Sequence, residues 1–181
     1  MDSSKESAVL TAVGPDKIGL VEKISEFIVQ HHCNIEDSKM AVFCGEFALI
    51  LLISGSPQDL MSIERASHEL VKLTGLSIAI RRPTAKKSAE PLLPYKLTAS
   101  CMDHPGVVHR LSSVLSSLAI NIESMETKTY PAPVSGTPIF RMEAFISIPA
   151  KLNVNALRAQ FTEIEREENI DIDLALVEEG G

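Results

Sequence analysis

The sequence predicts an α+β fold that is built twice, in two domains of similar size. Residues 10–40 and 97–127 align without a gap, 87 positions apart. Ten aligned positions carry the same residue in both stretches, among them an Asp and a Gly in a turn and an Asn-Ile-Glu triplet after a helix. Self-similarity at a fixed period indicates a duplicated structural unit. One copy can therefore be used to interpret the other.

The composition is that of a globular protein with two small cores. The chain has 181 residues, of which 45% are hydrophobic, and its net charge is -7. An acidic chain lacks the clustered Lys and Arg that direct nucleic-acid binding requires. No apolar run approaches the roughly 18–20 residues of a membrane span, and the leader MDSSKES has no apolar signal region. Three cysteines form no CxxC pair, so we expect reduced thiols, no metal and a cytoplasmic protein.

The first domain is expected to span residues 7–82 in the order β-α-β-β-α-β. Ala8–Val13 is a short apolar strand, and apolar residues at helical spacing predict a helix from Ile18 to His32. Asp16 stands where an N-cap belongs, because its carboxylate can accept an unpaired backbone N–H. The remaining elements are a strand at 35–43, a hairpin at Gly45, an apolar strand at 47–54, a helix from Pro57 to Gly75 and a strand at Ser77–Arg81.

The second domain, residues 95–178, repeats this order after a proline-rich linker at 83–94. Residues 130–138 differ most from the first copy and are too rich in Pro and Gly to be strand, so they predict a long hairpin loop. The predicted elements are Tyr95–Ser100, a helix from Gly106 to Leu118, Ile122–Lys128, Phe140–Ile148, a helix from Val154 to Glu167, and Ile170–Val177.

This order of elements indicates the ferredoxin-like arrangement, an antiparallel four-stranded sheet with two helices on one face. The strand at 47–54 shows little alternation between polar and apolar residues, so its second face is also expected to be covered. That requirement, together with exposed sheet edges, favours pairing of domains or of chains and predicts a homodimer.

Three segments resemble a known family. DHPGVV at 103–108, NIE at 121–123 and SGTPIF at 135–140 resemble the ACT domain, and more narrowly the tandem ACT proteins related to the glycine cleavage system transcriptional repressor. The resemblance covers residues 7 to 178. It implies a module that senses small molecules, usually amino acids, at domain interfaces. The implied ligand contacts lie in the turn after the first strand and at the start of the second strand of each copy, at Asp16, Lys17, Ile18, Gly19, Leu20, Asn34, Asp103, His104, Pro105, Gly106, Val107 and Asn121.

The chemistry of these residues leaves two interpretations open. A helix start offers unpaired N–H groups and partial positive charge, which suit a carboxylate, and a glycine lets a ligand approach closely. Asn offers both a donor and an acceptor, and Asp could pair with an ammonium group. Alternatively, Asp only caps the helix, Gly only permits tight packing and Asn only closes a turn. Ile18 stands where the second copy has Pro105, so the first copy is expected to bind a different ligand or none.

The leading functional hypothesis is a non-catalytic regulator without cofactor or metal. It would sense a small amino acid of the glycine or serine type and relay it to a protein partner, such as a transcription regulator of glycine metabolism. One alternative is an interaction module that binds no ligand. Another is an enzyme using Cys101, His104 and His109, although no base, nucleophile and orienting group can be named together.

Overall fold

The computed structural model describes residues 5–83 and 90–177, which divide into two compact units on either side of residues 84–89. Both units have the predicted β-α-β-β-α-β order. The first unit contains β1 (Glu6–Pro15), α1 (Leu20–Gln30), β2 (Asn34–Phe43), β3 (Glu46–Gly55), α2 (Pro57–Thr74) and β4 (Ser77–Arg81). The second contains β5 (Leu92–Met102), α3 (Val107–Ser117), β6 (Asn121–Pro131), β7 (Pro138–Pro149), α4 (Val154–Glu168) and β8 (Asp171–Leu176).

Each unit is built on one antiparallel sheet of four strands. The strand orders are β2-β3-β1-β4 and β6-β7-β5-β8, so the first and third strands of each unit are central. The expected α+β class, with two ferredoxin-like domains in tandem, is confirmed. Residues 84–89 of the predicted linker, and residue 178 at the predicted end of the second domain, lie outside the described residues. None of the helices described is both long and apolar enough to cross a membrane.

The helices of each unit cover one face of its sheet. In β3, Phe47, Leu49, Leu51 and Ile53 are buried against that side, whereas Ile50 on the opposite face is 46% exposed. The apolar run at 47–54 therefore alternates in burial although it does not alternate in polarity. We call the face of each sheet opposite its helices the helix-free face. Among residues 5–83 of the first unit, no helix or strand covers this face, because both helices pack on the other side.

Two segments that were expected to be loop or linker extend the strands of the second unit. β5 begins at Leu92 rather than Tyr95, because Leu92 to Pro94 pair with β7. β8 does not pair with that end of β5, so the missing N–H of Pro94 costs little there. In the same way Pro131 pairs with Pro138, and the loop beyond them is closed by a hydrogen bond from the Ala132 N–H to the Thr137 carbonyl (2.8 Å).

The second strand of each unit begins with a β-bulge at the glutamate of the Asn-Ile-Glu triplet. The register shifts between Ile35 and Asp37, and again between Ile122 and Ser124. In the first unit the Asn34 amide and the Ser54 hydroxyl donate to the Glu36 carboxylate. In the second unit the Asn121 amide donates to the Glu123 carboxylate over 2.7 Å. The triplet thus fixes the start of an edge strand, where bulges commonly occur.

The hairpin between β2 and β3 has a two-residue loop, since Phe43 pairs directly with Glu46. Its two residues, Cys44 and Gly45, have φ of 50° and 83°. Positive φ at both positions is the geometry of a type I′ turn, for which Asn-Gly is the preferred sequence. Cysteine is strained in this conformation because its Cβ crowds the backbone.

We expect Cys44→Asn to raise the free energy of unfolding by up to about 1 kcal/mol, because Asn tolerates the left-handed conformation. Urea denaturation measures the change. Cys44→Ala is the matched control, since it removes the thiol but keeps a Cβ without the local hydrogen bonding of Asn. A Cys44→Asn protein less stable than Cys44→Ala would contradict this account of the turn.

The bulge predicts a pH dependence of stability. Hydrogen bonds from Ser54 and then Asn34 hold the pKa of Glu36 below its ordinary value of about 4.5. Because the folded pKa is lowered, this carboxylate contributes stability that is present above pH 4.5 and lost as the pH falls through the folded value. Glu36→Gln should therefore show a smaller loss of stability between pH 6 and pH 3 than the natural chain. Glu46→Gln removes the same charge and should follow the natural chain; equal curves for both variants and the natural chain would refute the assignment.

Candidate functional site

The predicted turns lie at equivalent places in the two units, between the first strand and the first helix. The N–H of Asp16 donates to the carbonyl of Gly45 over 2.8 Å, and the N–H of Asp103 donates to that of Pro138 over 2.9 Å. Each turn is therefore anchored at its start to the hairpin of its own sheet. The Asp side chains are exposed to solvent.

The glycine of each turn is required by the backbone conformation. Gly19 has φ of 87° and Gly106 has φ of 102°, in the left-handed region that side chains disfavour. Tight packing is not the reason, because a Cβ on Gly106 would meet nothing within 4 Å and one on Gly19 only the Glu22 carboxylate at 3.7 Å. The space beside each glycine can therefore admit a ligand.

The prediction that Asp16 caps the first helix is wrong. The N-cap is Gly19, three residues later, and α1 has no side-chain cap; Gly106 occupies the same position before α3, which also lacks one. The backbone of Asp16 is held at the hairpin, too early in the turn to reach the helix. By contrast, Ser56 and Asn153 cap α2 and α4. The two helices at the predicted site are thus the ones whose first N–H groups no side chain satisfies.

The two turns differ in charge at the third residue of the helix. Glu22 occupies this position in α1, with its carboxylate beside Gly19, whereas the aligned residue in α3 is His109. A carboxylate there already complements the partial positive charge of the helix start. The first turn is therefore poorly suited to a second anion, and the turn of the second unit has no such internal competitor.

The residues at the middle of the turns also differ. Ile18 is fully exposed, and its counterpart Pro105 fixes the chain before Gly106. Lys17 lies near the C-terminus of α2, since a Cβ on Gly75 would be 3.6 Å from its Nζ. A cation is favourable there, which gives Lys17 a structural role.

His104, the counterpart of Lys17, carries an unsatisfied polar atom. Its Nδ1 lies 3.3 Å from the carbonyl of Pro105, while its Nε2 is buried and has no hydrogen-bond partner among the described residues. Buried polar atoms nearly always find a partner, which can be water or a ligand. In the second turn, the Nε2 atom of His104 is therefore the polar atom for which a water or a ligand would supply a missing hydrogen bond.

Leu20 and Val107 were expected to contact the ligand, but their side chains belong to the cores. They are 3% and 2% exposed and begin α1 and α3. Only their backbone N–H groups remain available to a bound anion. Any contact of these two residues with a ligand in the turn is therefore expected to be made by the main chain.

Within a unit, the asparagine of the triplet is not brought together with the turn. Asn34 pairs with Ser54, which pairs with Ser7 at the start of β1, whereas the turn follows Pro15 at its end. α1 has 11 residues and spans about 16 Å between these two places. Asn121 has the same position in the second unit. One small ligand cannot contact both features of one unit, and each amide already donates to its bulge glutamate.

The group formed by Cys101, His104 and His109 does not have the properties of a nucleophilic site. Cys101 is 7% exposed and packs in the core of its unit. Burial raises the pKa of its thiol, and nearby carboxylates raise it further, which disfavours the reactive thiolate. His109 is exposed on α3. Among the described residues, no three His, Cys, Asp or Glu side chains are grouped so as to hold a metal.

Two features of the site were missed by the sequence analysis. The bulge glutamates Glu36 and Glu123 were recognised only as matching residues, although their identity at an edge-strand start could have suggested a structural role. The difference between Glu22 and His109 was readable from the repeat alignment but became meaningful only when the helix start proved to be uncapped.

Comparison with known proteins supports the same relationship. Residues 6–80 match the family described as the ACT domain. The glycine cleavage system transcriptional repressor of Escherichia coli is 26% identical over 174 residues, which cover 94% of this chain and 92% of that protein. A UPF0237 protein of Methanopyrus kandleri is 37% identical over 65 residues, or 36% of this chain and 71% of its own length.

A solved structure agrees over nearly the whole chain. The crystal structure of an unknown protein from Galdieria sulphuraria has a TM-score of 0.84 and 31% sequence identity, and the match covers 97% of this chain and 100% of that one. The fold, the duplicated turn and the related sequences all indicate the same family. This chain belongs to the ACT-domain family.

Proposed function

We propose that this chain is a non-catalytic regulatory protein that binds a small amino acid of the glycine or serine type and relays the bound state to a protein partner. The observation that carries the proposal is the uncapped start of α3 beside Gly106, where no acidic side chain occupies the first turn. Backbone N–H groups and the helix dipole suit a carboxylate there. The open space beside Gly106 admits one without displacing protein atoms.

The same turn also offers partners for the groups of a small zwitterion other than its carboxylate. The exposed carboxylate of Asp103 is available for an ammonium group, and the buried Nε2 of His104 lacks a partner that a ligand or a water beside it could supply. Pro105 restricts the backbone between His104 and Gly106, so less conformational entropy is lost when a ligand binds. The first turn, with Glu22 already at its helix start, binds the ligand weakly or not at all.

The regulatory part of the proposal is supported by the relative that covers nearly the whole chain. That protein is named a transcriptional repressor of the glycine cleavage system, which favours glycine metabolism as the context. The net charge of -7 favours action through a protein partner rather than direct contact with DNA. Ligand binding can shift such a partnership only by the difference in affinity between the bound and unbound arrangements.

We expect His109→Glu to weaken binding of glycine or serine about two- to fivefold, because it places a carboxylate at the helix start as Glu22 does in the first unit. Isothermal titration measures the affinity. A Glu at this position also stabilises an isolated helix start, so thermal stability should be retained or raised, and weaker binding cannot be ascribed to unfolding.

Glu22→Gln is the matched control for this experiment. It changes the equivalent residue of the first unit and should leave the affinity of the second turn unchanged. Because the two substitutions change the net charge in opposite directions, a gain of affinity in Glu22→Gln equal to the loss in His109→Glu would show that the charge of the whole chain, rather than the second turn, matters. The absence of heat and of any thermal shift with either amino acid would favour the alternative of an interaction module without ligand.

We expect Asn121→Ala to leave the affinity for glycine or serine unchanged within about twofold while lowering the free energy of unfolding by about 0.5–1.5 kcal/mol. The reason is that Asn121 donates to Glu123 at the opposite end of the sheet from the turn. Titration and urea denaturation of the same preparation separate the two effects. A tenfold loss of affinity at unchanged stability would place Asn121 in the ligand site.

A further inference from the structure

The helix-free face of the second unit carries a polar depression with a volume of about 380 Å³. It is distinct from the turn at Gly106. All four strands of the sheet contribute to it, and Glu165 of α4 reaches it at the β8 edge of the sheet. This volume is within the range of small-molecule sites. The lining residues are Thr98, Ala99, Ser100, Tyr130, Arg141, Glu165, Asp171, Ile172 and Asp173.

The strand register places opposite charges across this depression. Ser100 of the central strand β5 pairs with Arg141 on one side and with Asp171 on the other. Thr98, two residues earlier on the same face, pairs with Asp173. With neighbouring strands about 4.8 Å apart, the Cα atoms of Arg141 and Asp171 are separated by about 10 Å. A guanidinium and two carboxylates therefore flank a central strip of hydroxyl groups.

These charges do not neutralise one another in the unit. Within the part of the chain that the structure describes, no hydrogen bond or ion pair engages the side chains of Arg141, Asp171 or Asp173. By contrast Lys96 and Glu143, on the same face, form an ion pair at 3.0 Å. The third carboxylate at the depression, Glu165, already accepts from the N–H of Ile172 over 3.0 Å.

The first unit shows that the fold does not require charged residues at these places. The register aligns Ser100 with Val13, Arg141 with Ala48, Asp171 with Ser77 and Asp173 with Ala79, because Val13 pairs with Ala48 and Ser77 in the first sheet. Arg141, Asp171 and Asp173 are thus replaced by small neutral residues in a sheet of the same topology. The charged set is a feature of the second unit alone.

We propose that this depression binds a cationic amino acid, a ligand with one carboxylate and two separated positive groups. The ligand carboxylate pairs with Arg141, and its ammonium groups pair with Asp171 and Asp173, while Ser100 and Thr98 offer hydroxyl groups between them. The excess of carboxylates over guanidinium at the depression favours a ligand with net positive charge. The elongated spacing of the charges favours a side chain several bonds long over glycine.

The test is a titration of the full chain followed by two-dimensional ¹H–¹⁵N NMR, with lysine, glycine and glutamate as separate probes. Lysine should shift the backbone amide resonances of residues 98–100 and 171–173. Arg141→Gln and Asp173→Asn should each weaken this binding about tenfold or more, as expected for loss of a charged hydrogen-bond partner. Lys128→Gln is the matched control, since Lys128 is the register partner of Arg141 on β6 but does not line the depression.

Three results would overturn the inference. They are the absence of shifts in these amides at high lysine concentration, a preference for glutamate over lysine, and an equal effect of Lys128→Gln and Arg141→Gln. The affected resonances are separate from those of residues 103–107, which report on the proposed binding of glycine or serine. The experiment can therefore contradict one of the two binding proposals without contradicting the other.

Discussion

In each unit, the central strand passes into the first helix through a glycine that holds positive φ, and this constraint organises the proposed site. The glycine replaces the polar N-cap that would otherwise complete the helix, so α1 and α3 begin with unsatisfied N–H groups. A hydrogen bond to the neighbouring hairpin fixes the other end of the turn. The chain thereby presents bare main-chain donors at a defined place, supported by a packed sheet and helix.

Comparison of the two units distinguishes residues that the fold requires, which both units share, from residues that are found in only one unit. Positive φ at the turn glycine, the bulge glutamate and the asparagine that donates to it occur in both units and therefore belong to the shared architecture. The residue at the third helical position and the residues on the helix-free face differ between the units. Chemical differences superposed on a common backbone are the features most informative about ligand specificity.

The architecture was readable from the sequence because hydrophobic periodicity and the repeat reinforced each other. The predicted strand Ser77–Arg81 matches β4 residue for residue, and the helix from Pro57 to Gly75 differs only in that Gly75 is its cap. The errors in the predicted elements occurred at proline and aspartate, because each of these residues is found in more than one kind of local structure. Pro94 enters β5 where only β7 pairs with the strand, Pro131 ends β6, and Asp16 precedes a helix without capping it.

The candidate site was less predictable, because its geometry depends on sheet register rather than on local pattern. Asn34 and the turn at Gly19 are close in sequence, yet a helix of 11 residues carries the chain to the other end of the sheet between them. The charges of the depression on the helix-free face come from two strands, β7 and β8, which are far apart in sequence and are brought together only because both pair with β5. Such a group of charged residues has no characteristic spacing in the sequence, so it could not be predicted from a motif.

The carboxylate of Glu22 beside Gly19 has a consequence for how the protein saturates. A chain with two equivalent receptors could respond steeply to ligand concentration, because occupancy of one could assist the other. On the proposed function, the first helix start is already complemented from within, so one chain is expected to take up a single small zwitterion at its turns and to give a hyperbolic saturation curve. Any steeper response would then have to arise from association between chains or from the proposed protein partner.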